Sequence, residues 1–110
     1  MAAARKDPSR IVRDAYDRMA SRYLKARSRG LPEPPLLSEF SRLLPPNALV
    51  LDAGCGAGLP VTQTLARGHR VIGVDFSLAQ LRLARRSVPE ARFACQDMIR
   101  LAFPAGVFDG

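Results

Sequence analysis

The chain has 110 residues, of which 47% are hydrophobic and 25% charged, the composition of a single globular domain and not of a disordered chain. Its apolar runs fall short of the roughly 20 residues a membrane-spanning helix needs, and Met1–Lys6 has no apolar stretch behind it, so no secretory signal is expected. The formal charge is +7, and residues 1–30 hold +6 of it, with nine Lys/Arg against three Asp.

Ser9–Ala26 reads as an amphipathic helix. Val12, Tyr16, Met19 and Tyr23 recur at spacings of 4, 3 and 4, and Ile11, Ala15, Ala20 and Leu24 widen the stripe. A basic helix of this kind can attract nucleic acid, acidic lipid or an anionic substrate. No aromatic residues alternate with its arginines as a stacking platform requires, and a chain with 15 Arg and 2 Lys favours a solvated face, so nucleic acid is not the expected partner. Leu31–Pro46 carries five of the nine prolines and reads as a linker with one short helix, about Pro35–Leu44. Leu36, Leu37, Phe40, Leu43 and Leu44 are expected to face inward from it.

The stretch L-V-L-D-A-G-C-G-A-G (Leu49–Gly58) follows. Leu49–Leu51 is continuously apolar, as a parallel strand covered on both faces should be, and Asp52 is expected to end it. Gly54, Gly56 and Gly58 then allow positive φ and remove the Cβ atoms that would keep a ligand away. A helix over Leu59–Arg67, closed by Gly68, presents free N–H groups toward the same spot. His69 follows in a turn, where a lone histidine is ordinarily solvated. A second strand, Arg70–Val74, ends at Asp75, 21 positions after Gly54. Ser77 is placed to cap a helix over Leu78–Ser87, and Pro89 marks that helix's end. A third strand, Ala91–Gln96, runs into Asp97-Met98. Strands alternating with helices imply a doubly wound, Rossmann-like parallel sheet of the α/β class.

Counted from Gly54, a dinucleotide-binding G-x-G-x-x-G pattern would need glycine where Leu59 stands. The pattern present, Asp52-x-Gly54-x-Gly56-x-Gly58, resembles motif I of the class I S-adenosylmethionine-dependent methyltransferases. Y-D-R-M-A-S-R-Y (Tyr16–Tyr23) is likewise similar to a segment that precedes many small-molecule methyltransferase domains, and Val107–Gly110 resembles the opening of their fourth strand. The resemblance implies that S-adenosyl-L-methionine is the cofactor and a small molecule the methyl acceptor. It implies Gly54, Gly56 and Gly58 under the cofactor's methionine part, with Asp52 orienting the loop and the ammonium. Asp75 would accept the ribose hydroxyls, Phe76 would lie on the adenine, and Asp97 and Met98 would hold the adenine edge. Tyr16 and Tyr23 would belong to a lid helix. No catalytic residue and no metal ligand is indicated.

On this reading residues 1–46 form a helical lid and Pro-rich linker, and residues 47–110 the first half of a cofactor-binding domain that stops after strand three or early in strand four. A central strand with an unpaired edge invites self-association or a complementing chain. The alternatives are a truncated or split fragment that keeps cofactor binding, or only the fold, without turnover and, further off, a NAD-binding domain. Cys55 and Cys95 lack metal-site spacing, which makes a reduced cytoplasmic protein the expectation. Cys55 fits its loop as a small side chain, and Cys95 is expected in the core.

Overall fold

The computed structural model describes residues 35–110 together with the two helical positions 14 and 18. The expected helix Ser9–Ala26, with Tyr16 and Tyr23, lies outside the described residues. Six elements follow one another from Pro35: α1 (Pro35–Leu43), β1 (Leu49–Ala53), α2 (Val61–Ala66), β2 (Arg70–Asp75), α3 (Leu78–Ser87) and β3 (Arg92–Cys95). The strands form one parallel sheet in the order β1-β2-β3. Val50 pairs with Val71 and Ala53 with Val74, while Asp75 pairs with Cys95, so the three strands end side by side.

Short apolar runs become strands here because they bury a face, but the expected cover on both faces is not found for β1, since Leu49 and Leu51, which alternate with buried Val50, are only half-buried. Ala48, Val50, Leu65 and Val71 form a buried cluster, against which Leu37, Leu44, Val61, Ala66 and Ala91 pack. Each fully buried Val or Leu contributes about 1.5–3 kcal/mol relative to exposure. Gly73, in the middle of β2, leaves room for the Phe93 ring and the Cys55 sulfur. A Cβ there would stand 2.7 Å from Phe93 Cδ1 and 2.9 Å from Cys55 Sγ.

The chain's last residues add to the sheet on its other side. Along a strand, alternate residues aim their N–H and C=O groups at opposite edges. Ala48 O accepts from Arg70 N on the β2 side, whereas Leu49 O accepts from Asp109 N at 2.8 Å and Leu51 N donates to Gly110 O at 2.9 Å. The Asp109 carboxylate also accepts from Leu49 N at 2.8 Å. Residues 109 and 110 therefore lie along the edge of β1 away from β2, where the expected fourth strand belongs.

Several expectations are corrected. Asp52 does not end β1, which runs on to Ala53. The third strand is shorter at each end than Ala91–Gln96, spanning Arg92–Cys95. The helix expected from Leu59 begins at Val61, with Pro60 as its N-cap, because Pro60 lacks an N–H and is better suited to a helix entry than to its interior. On α1, Leu36 (76% exposed), Phe40 and Leu43 (81% exposed) do not face inward. Leu37, Ser41 and Leu44 form one stripe at helical spacing, and Leu36, Phe40 and Leu43 form another one residue earlier. The first meets the core cluster through Leu37 and Leu44, and of the second Phe40 lies beside Gly110. His69 is not simply solvated, since its Nε2 lies 2.9 Å from Ser41 Oγ and 3.2 Å from Ser41 O, tying the turn before β2 to α1. Cys95 is exposed and not in the core, because it closes β3, which is bonded to β2 alone.

Candidate functional site

The ends of the three strands lie side by side, with the turn after β1 folded over the end of β2. Gly54, Gly56 and Gly58 have φ of 72°, 56° and 85°, all in the region that disfavours side chains. Gly54 N and Cys55 N both donate to Val74 O, at 2.8 and 3.0 Å, which folds the turn back over the tip of β2. The three glycines serve different neighbours. A Cβ on Gly54 would stand 3.2 Å from Met98 Sδ, and one on Gly56 would stand 3.8 Å from Gln80 Oε1. A Cβ on Gly58 would stand 3.1 Å from Val88 Cγ2 and 3.4 Å from Ala84 Cβ, so this glycine lets the turn settle on α3.

Asp75 lies under that turn at 8% exposure. Its Oδ2 accepts from Gly56 N at 2.9 Å and its Oδ1 from Ser77 N at 2.9 Å. Two backbone donors thus fix the carboxylate plane, and an ionised carboxylate with about four acceptor sites retains capacity for two more. Ser77 completes the cap of α3, its hydroxyl accepting from Gln80 N at 3.3 Å. The C-terminal ends of β2 and β3 are bonded together, with Gln96 N donating to Asp75 O at 3.0 Å. Beyond β3, Asp97 Oδ1 accepts from Ile99 N at 3.0 Å, an Asx-turn that shapes the start of the next loop. Met98 is 54% exposed, with its thioether beside Gly54. Phe76 is half-buried next to Asp75.

Asp52 supplies a second carboxylate at the glycine turn. Thr62, on the first turn of α2, donates to its Oδ2 at 2.6 Å. Burial pushes the Asp52 carboxyl above its ordinary value, the Thr62 bond pulls it down, and the negative charge of Asp75 pushes it up again. The same surroundings push the Cys55 thiol well above the usual cysteine range, burial first and then Asp52 and Asp75. Cys55 is a protonated, packed thiol and not a nucleophile.

The site brings together eight of the ten residues read from the sequence, Asp52, Gly54, Gly56, Gly58, Asp75, Phe76, Asp97 and Met98, while Tyr16 and Tyr23 lie outside the described residues. Two members were not expected. Thr62 is the partner of Asp52, and its signal was a hydroxyl three residues before Leu65, on the face of α2 that is buried. Gln80 lies under the turn, on the same face of α3 as Ala84. Among the described residues, no group of three or more His, Cys, Asp or Glu could hold a metal ion, and no helix is long and apolar enough to cross a membrane.

The surface offers carboxylates and close backbone approach to a ligand that carries hydroxyl groups and positive charge. A family model described as a methyltransferase domain matches residues 50–110. A 2-methyl-6-phytyl-1,4-hydroquinone methyltransferase from Synechocystis is 41% identical over 71 residues, a stretch covering 60% of this chain and 22% of that protein. The crystal structure of a TehB-like SAM-dependent methyltransferase from Corynebacterium glutamicum is 28% identical with a TM-score of 0.63, matching 76% of this chain and 46% of that one. Magnesium protoporphyrin IX methyltransferase from Synechocystis, solved with bound SAM, shares the fold at 24% identity and a TM-score of 0.67, over 92% of this chain and 60% of that one. The chain therefore spans about a fifth of the curated relative's length.

Proposed function

The chain belongs to the methyltransferase-domain family, and from that premise we propose that it takes up S-adenosylmethionine at the aligned ends of β1, β2 and β3 and serves methyl transfer to a small-molecule acceptor. When bound, that cofactor supplies an electrophilic methyl group on a sulfonium. The chain's own residues hold and orient it, which is most of what a direct displacement needs from a protein.

The observation that carries this reading is the Asp75 carboxylate, fixed by the Gly56 and Ser77 N–H groups with acceptor capacity left over. Two acceptor oxygens in one fixed plane suit a vicinal diol. Gly54 and Gly56 let a ligand approach the backbone. Asp52, held by Thr62, is a carboxylate at a desolvating position, and a ligand ammonium nearby relieves the charge that burial disfavours. Phe76 and Met98 offer apolar contact to the adenine, and Asp97 accepts from its amino group. The donor set also argues against a pyrophosphate, because Asp52 and Asp75 would repel it.

The acceptor named for the Synechocystis relative is a hydroquinone, so alkylated hydroquinones head the acceptor panel. Cysteine usage supports a cytoplasmic protein, and the sheet edge on the β1 side, where residues 109 and 110 lie, is where we expect self-association or a complementing chain, which sedimentation would detect.

Calorimetry with S-adenosylhomocysteine and with NAD tests the proposal. The chain is expected to bind the first and not the second, and Asp75→Ala is expected to weaken binding at least 100-fold, about 3 kcal/mol. Tighter NAD binding, or undiminished uptake by Asp75→Ala, would overturn it.

A further inference from the structure

Gln80 is the group at this site that the reading above leaves unused. It is 2% exposed, and its carboxamide oxygen is buried without a hydrogen-bond partner. That oxygen lies 3.8 Å from the point where a Cβ on Gly56 would stand, directly beneath the middle glycine of the turn. A buried carbonyl without a donor carries an uncompensated desolvation cost. Methionine, of similar length and shape, would fill the same slot without that cost.

Gly56 has two acceptors within its neighbourhood. Its N–H is given to Asp75 Oδ2 at 2.9 Å, and Gln80 Oε1 waits on another side of the same residue. Asp75 is the carboxylate assigned to the ribose diol, so one ligand hydroxyl shares Oδ2 with the Gly56 N–H, and sharing that oxygen weakens the Gly56 bond. Gly54, Gly56 and Gly58 all adopt positive φ without a side-chain penalty.

We infer that Gln80 is a positioning residue for the cofactor, its amide oxygen accepting the Gly56 N–H when the ribose hydroxyls engage Asp75. This rests on the cofactor reading given above. In the free protein the oxygen stays unpaired. In the loaded protein it holds the glycine turn in the shape that leaves Asp75 to the sugar.

The test is Gln80→Met in the full chain, read by calorimetry with S-adenosylhomocysteine and by thermal melting without ligand. The variant is expected to melt at a higher temperature than the parent and to bind S-adenosylhomocysteine about five- to tenfold more weakly. A purely structural glutamine would move the melting temperature and leave the affinity alone. Nitrogen-15 spectra of the parent protein provide a second readout that needs no variant. On saturation with S-adenosylhomocysteine, the Gly56 amide and the Gln80 side-chain amide resonances should both shift. Unchanged affinity in Gln80→Met overturns the inference, as does saturation that shifts Phe76 and Met98 but leaves the Gln80 side chain in place. No binding by the parent chain would remove the cofactor reading itself, and the inference with it.

Discussion

Asp52 is held where its surroundings oppose its charge, and this has a consequence for pH. Its carboxyl sits above the ordinary value of 3.8 in the folded chain, chiefly through burial. Such a group contributes stability below its unfolded value and loses that contribution as pH rises through the folded one. Asp52→Asn, which can still accept from Thr62, should therefore melt higher than the parent at pH 7, with the gap closing toward pH 4. It should also bind S-adenosylhomocysteine more weakly, because the ammonium loses its counter-charge. Melts at the two pH values check this, and a variant less stable than the parent at pH 7 contradicts it. The two cysteines give a simpler contrast. Cys95 is exposed and Cys55 is held protonated in the turn, so iodoacetamide at pH 8 should label Cys95 at least tenfold faster in peptide mapping. Gly58→Ala places a Cβ at a φ of 85° and 3.1 Å from Val88 Cγ2. A destabilisation of about 1–3 kcal/mol is expected in denaturant unfolding. The sequence showed that three glycines make this turn, but it could not show which neighbour each one serves. That depends on α3 and, for Gly54, on Met98 beyond β3, which arrive from 20 or more residues away in the chain.

At the scale of elements, the strands and α3 were legible because their patterns are self-contained. Arg70–Asp75 is an apolar run with an acid at its end, and Leu78–Ser87 opens on a capping serine. The face of α1 was not legible, because Leu36, Phe40 and Leu43 have the same period as Leu37, Ser41 and Leu44. What decided between the two stripes is a contact 28 positions away, where Ser41 meets His69. The choice has a measurable consequence. Leu44→Ala should cost about 2 kcal/mol because Leu44 packs on the core cluster. Leu43→Lys should change stability by no more than about 0.5 kcal/mol. Denaturant midpoints of the two variants check the assignment, and equal losses would contradict it. Cys95 was misread for a related reason: alternation along a strand says which face a residue takes, but not whether anything covers that face.

For the whole molecule, the placement of β1 between β2 and residues 109–110 is what turns a run of motifs into a site. Each sequence motif carries an ordinary alternative by itself, since a glycine turn, an acid after a strand and an Asx-turn all occur in proteins without ligands. The parallel register sets Ala53 against Val74 and Asp75 against Cys95, and this alignment of the three strand ends is what supports the proposed site. The lid assigned to Tyr16 and Tyr23 belongs to residues outside those described, and the acceptor is not encoded in any motif of the chain. The most direct measurement is therefore a nitrogen-15 titration of the chain with S-adenosylhomocysteine. The account predicts saturable shifts at Gly54, Gly56, Asp75, Phe76, Asp97 and Met98, with the amides of α1 unmoved. Shifts absent from the ends of β2 and β3, or no saturable change at any amide, would contradict it.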